Sequence, residues 1–151
     1  MVLSVAQFVS TLTCILFAGA AIYINLVEHP ARMSSSTEIA ATVWAPSYKR
    51  ATVMQASLAA ISTIAAVLAW VLGGGLSWLV GAVVIFSVVP FTLLGIKPTN
   101  TQLLAPGRDL SCPETRRLLE RWGKLHAVRS LLSAIASIIF FAALIWNQNG
   151  S

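Results

Sequence analysis

Trp122, His126 and Arg129 stand at i, i+4 and i+7 in the stretch ETRRLLERWGKLHAVR. A helix there puts an aromatic plane, an imidazole and a guanidinium on one face. The stretch holds five of the chain's ten Lys and Arg side chains and runs without a helix breaker into the apolar segment 130–146. An imidazole titrates near neutral pH and is a natural general base. Arg129 lies one turn deeper than His126, where a guanidinium must be paired or must hold an anion. Glu28 and Glu120 are its candidate structural partners, and a phenolate or enolate is the functional alternative. The second histidine, His29, follows Glu28 directly. Glu28, His29 and His126 would therefore resemble a two-histidine, one-carboxylate metal set, although no local spacing motif accompanies them. Trp44, Tyr48 and Trp122 could stack on a flat ligand, against the plainer reading of aromatics anchored at a membrane interface.

Composition says where such a site sits. Of 151 residues 57% are hydrophobic and only 10% charged, with mean hydropathy +0.80, whereas soluble domains carry about 25% charged residues. The chain belongs in a bilayer. Its net charge of +5 does not point to nucleic acid, because the basic residues flank apolar runs and lack a soluble scaffold. Cys14 lies inside an apolar run and Cys112 in a connection, with no CxxC, which argues against a disulfide framework or a thiol redox motif. The N-terminus has no basic n-region and reads as a retained first span.

These features predict an all-α integral membrane four-helix bundle in one domain, with spans at about 4–27, 52–72, 76–96 and 127–146. Asn25, Tyr23 and Gln55 fall in or beside the spans and read first as anchoring or interhelical groups. Pro30 is expected to close the first span. A polar connection over 33–49 follows, with a short surface helix opened by Ser35 and Glu38. Gly73, Gly74 and Gly75 supply a tight turn between spans two and three. Pro90 should kink the third span, and Ser111 with Glu114 should start the fourth helix. All ten Lys and Arg fall in the two longer connections and the opening of span four. The positive-inside rule then puts those connections, and the site, on the cytoplasmic side and both termini outside. First and last spans can be neighbours in such a bundle, which would let His29 and His126 converge.

Four segments carry a resemblance. GAAIYINLVEHPAR (19–32), W-x3-YKRATVMQ (44–55), Pro90 followed by KPTN-x2-L ending at Leu103, and RWGKLHAVRSLL (121–132) are similar to the anthrone oxygenases, a family of small four-span membrane proteins. The resemblance implies oxidation of the activated methylene of an anthrone to a quinone carbonyl by dioxygen. It carries over Glu28, His29, Pro30, Arg32, Trp44, Tyr48, Arg50, Asn100, Trp122, His126 and Arg129. An anthrone carbanion is electron-rich enough to meet dioxygen without a metal, so the protein needs a base, positive groups for the oxyanion, and a dry flat slot. His126, or else His29, would be the base. Arg129 and Arg50, with Asn100 or Tyr48, would stabilise negative charge, and Trp44 and Trp122 would hold the rings. Two alternatives stay open: a non-enzymatic membrane protein that binds a lipid or quinone, its histidines paired with Glu28 and Glu120, and an oxidoreductase that holds a metal or haem through His29 and His126. The expected partners are the bilayer, a small aromatic or hydrophobic substrate and dioxygen, with self-association into a homo-oligomer left open.

Overall fold

The structure, a computed structural model, describes residues 1–148. Four helices are long and apolar enough to cross a membrane. We label them α1 (Val2–Met33), α2 (Thr37–Gly74), α3 (Leu76–Leu103) and α4 (Pro113–Gln148). α1 packs against α2 and α4, and α3 packs against the same two. First and last helices are thus neighbours, as a bundle of this kind permits.

Pro30 does not end the first helix. The chain widens into a π-type turn over Ile24–Glu28, closed by the His29 N–H on the Ile24 carbonyl, and the helix continues to Met33. A proline ring clashes with the carbonyl four residues back and has no N–H to offer it, so one wider turn ahead of it absorbs both problems. The same device recurs in α3, where a π-type turn over Thr92–Ile96 is closed by the Lys97 N–H on the Thr92 carbonyl, one residue before Pro98. In both helices the proline stands two residues past the wide turn.

The expected polar connection over 33–49 is also shorter. The break covers only residues 34–36, and Pro46 lies inside the helix that follows. Ser36, in extended geometry at φ −59° and ψ 156°, is the N-cap, its Oγ accepting from the Ile39 N–H at 3.4 Å. The cap stands one residue later than the Ser35 expected from the Glu38 spacing. Arg116 of α4 reaches across to the Ser35 carbonyl at 3.1 Å and to the Met33 carbonyl, so an arginine satisfies the end of α1. The glycine turn forms as expected, with Gly73 at φ 89° and Gly75 at φ 94°.

Small side chains set the close approach of the helices. Ala6, Ala21, Ala59, Ala66, Ala69, Ala82, Ala136 and Ala143 fill one core with Phe17, Trp78 and Phe140. Ser10 and Ser62 clasp α1 to α2 reciprocally, each hydroxyl donating to the other's carbonyl at 3.0 Å. A second core, at the end that holds the charged residues, gathers Ile24, Trp44, Ile96, Leu103, Leu118, Leu119 and Trp122. The outward faces carry large apolar side chains such as Phe8, Val53, Leu94 and Ile138, which suits contact with hydrocarbon.

Candidate active site

Asn25 sits in the first wide turn and faces α4. Its Nδ2 donates to the Gly123 carbonyl at 3.0 Å, while its Oδ1 accepts from Ser130 Oγ at 2.6 Å and lies 2.7 Å from His126 Nδ1. A carbonyl can only accept, so the Gly123 contact fixes which way round the amide lies. The Asn25 oxygen must therefore face the imidazole, and Nδ1 must carry the ring proton. In neutral His126 the basic nitrogen is Nε2.

His29 meets the same stretch of α4. A Cβ at residue 123 would lie 2.5 Å from His29 Nε2, so the ring occupies the gap that Gly123 leaves. Both imidazoles rest against one indole, the Trp122 ring being 5.2 Å from His29 and 4.8 Å from His126. Trp44 meets Trp122 edge-on at 5.8 Å and 82°, and Tyr48 stacks on Trp44 at 5.0 Å and 7°. An aromatic wall thus runs from α2 to α4.

Arg129, three residues past His126 on the same helix, is 7% exposed. Nη2 donates to Gln55 Oε1 at 2.7 Å, and the guanidinium lies 5.5 Å from the centre of the Phe17 ring. The carboxylates expected beside it are engaged elsewhere: Glu28 pairs with Arg32, and Glu120 with Arg116 at 3.8 Å. Among the described residues no ion pair reaches Arg129. Arg129 Nε and Gln55 Nε2 have no hydrogen-bond partner among them either. Two cavities share this arginine. One, of about 20 Å³, touches Arg32, Tyr48, Gln55, Trp122, His126 and Arg129. The other, of about 180 Å³, is walled by Phe17, Ala56, Ala59, Val88 and Val89, with Thr52, Gln55 and Arg129 common to both.

Not every expected residue joins this group. Arg50 is exposed and Asn100 is buried, and neither lines these two cavities. The Asn100 amide has no hydrogen-bond partner among the described residues. Trp44 is 1% exposed and supports Tyr48 and Trp122 from behind. Glu28, His29 and His126 do not form a metal set: Glu28 is held by Arg32, and no group of three or more His, Cys, Asp or Glu able to hold an ion occurs among the described residues.

Sequence alone does not mark Asn25, Ser130 or Gly123 as site residues, and it gives Gln55 no preferred role. A lone amide in an apolar span was the available signal, but partners 98 to 105 residues away leave no local pattern.

An all-helical bundle with four membrane-length helices, and a buried imidazole and guanidinium meeting at paired cavities, defines a small integral membrane protein. The comparisons narrow this: the family model described as anthrone oxygenase matches residues 44–139, and the chain belongs to that family. The matched part contains Trp44, Tyr48, Gln55, Trp122, His126 and Arg129, while Asn25, Glu28, His29 and Arg32 lie before it. The chain is also similar to the anthrone oxygenase tpcL of Aspergillus fumigatus, 44% identical over 70 residues that make up 44% of this chain and 44% of that protein. The match thus spans less than half the length of that relative. No solved structure matches the chain.

Proposed function

We propose that the protein oxidises the activated methylene of an anthrone-like aromatic substrate to a carbonyl, using dioxygen, inside the membrane. The observation that carries this reading is Arg129: a buried guanidinium with only a neutral amide partner, at the wall between an apolar cavity and one that contains an imidazole. Burying an ion without a counter-charge costs several kcal/mol, and a ligand that becomes an anion there offsets that cost. The ring system fits the larger cavity, between Phe17, Ala59 and Val88. Its methylene edge faces the wall shared with the smaller cavity, where Arg129 and Gln55 Nε2 are donors set for the negative charge that develops as the methylene is deprotonated and oxidised. Nε2 of His126 takes the proton, contributing a factor on the order of 10²–10⁴. His29 has the weaker claim, since its ring fills a packing gap at Gly123. The apolar walls exclude water and strengthen each of these interactions.

The basic connections and the site lie toward the cytoplasm in this reading, with both termini on the other side. Oxygen uptake by the purified protein, measured with a panel of anthrones, tests it. The wild type should consume dioxygen with at least one anthrone and form the quinone, and His126→Ala should not. Equal uptake by both proteins would reject His126 as the base, and no uptake with any anthrone would reject the reaction.

A further inference from the structure

The two cavities that meet at Arg129 differ in kind. The larger is apolar apart from Thr52, Gln55, Thr92 and Arg129. The smaller, at about 20 Å³, is close to the room one water molecule needs. Its lining is cationic. Arg32 and Arg129 are each 7% exposed and both face it, with Glu28 as the one carboxylate in its wall. Two guanidiniums against one carboxylate leave one positive charge uncompensated. Arg32 Nε and Nη1, Arg129 Nε and Gln55 Nε2 have no hydrogen-bond acceptor among the described residues. A chamber sized for a molecule of a few atoms, rich in idle donors and short of negative charge, suits a small neutral molecule that turns into an anion.

We infer that this smaller cavity is the dioxygen chamber, and that Arg32 works with Arg129 to hold the oxygen as it is reduced. The inference rests on the proposed oxidation. The methylene loses a proton to His126, and the carbanion's electron pair forms a C–O bond to dioxygen, leaving a peroxide anion against the two guanidiniums. The imidazolium protonates the outer oxygen, and the imidazole then takes the second methylene proton. That C–H electron pair becomes the second bond of the carbonyl, the O–O bond breaks, and hydroxide leaves and is protonated to water. The carbon is oxidised, dioxygen is reduced, and CH₂ + O₂ becomes C=O + H₂O. Arg32 is thereby assigned to the oxygen half of the reaction and the apolar cavity to the ring half.

Steady-state kinetics with dioxygen and anthrone varied separately tests this. Arg32→Gln should lower kcat/KM for dioxygen by about 10²-fold while the anthrone KM stays within about twofold, and Arg32→Lys should recover most of the loss. Azide, a small monoanion, should inhibit the wild type competitively against dioxygen and not against anthrone, a measurement that needs no variant to fold. A raised anthrone KM with unchanged oxygen dependence in Arg32→Gln would overturn the assignment, as would azide that competes with anthrone or does not inhibit. If the wild type oxidises no anthrone, the parent reaction fails, and the infrared stretch of azide still separates the two ideas. A shifted band lost in Arg32→Gln retains the anion chamber, and an unshifted band removes it.

Discussion

Asn25 holds His126 from 101 residues away, its Oδ1 2.7 Å from the ring's Nδ1. The same amide is anchored through Nδ2 to the Gly123 backbone, so the wide turn of α1 sets which imidazole nitrogen is basic. Replacing Asn25 with Leu removes that control and strands a buried ring nitrogen and the Ser130 hydroxyl. Stability should fall by about 1–3 kcal/mol, and kcat should fall further than the folded fraction accounts for. Thermal unfolding in detergent beside anthrone turnover checks both.

Arg129 separates a functional charge from a structural one. Arg129→Met should lower kcat by about 10²–10³-fold, yet leave the unfolding temperature unchanged or raised, because an unpaired buried charge is removed. A loss of activity accompanied by an equal loss of stability would mark the residue as a strut.

Gly123→Ala tests the packing of His29 on α4. Its Cβ would lie 2.5 Å from His29 Nε2 and 2.6 Å from Cδ2. Overpacking of this kind costs about 1–3 kcal/mol. A lowered unfolding temperature is the expected outcome, and the double variant with His29→Ala should recover part of it.

The start of α2 gives a paired test of register. Ser36→Ala should destabilise by about 1 kcal/mol, the usual cost of an N-cap, whereas Ser35→Ala should do less. Denaturation of the two variants in parallel would show the reverse order if the cap were Ser35, as the Glu38 spacing suggests.

Cys112 and Cys14 report on sidedness. Cys112 lies in the connection between α3 and α4, while Cys14 is fully buried. A membrane-impermeant maleimide should label Cys112 only from the cytoplasmic face and should not label Cys14. Labelling from the opposite face would invert the proposed topology.

The span count and the glycine turn were legible because hydrocarbon thickness imposes a length and positive φ demands glycine. The face shared by Trp122, His126 and Arg129 was legible for the same kind of reason, since helical spacing is local. Helix ends were not. Pro30 and Pro46 signal breaks in isolation, but a π-type turn accommodates the first, and the second continues inside a helix whose flanks are packed. The usual rule for a buried cation pairs Arg129 with an acid, whereas its hydrogen-bond partner is Gln55. That exception is what marks the site. Asn25 was invisible as a positioning residue because its role exists only once α1 and α4 are side by side.

Oxidation with isotopically heavy dioxygen tests the central claim most directly. One labelled atom should appear in the new carbonyl of the product and the other in water, at a rate that collapses in His126→Ala. An unlabelled carbonyl, or a labelled one formed equally fast without His126, would contradict an oxygenase that works through this imidazole.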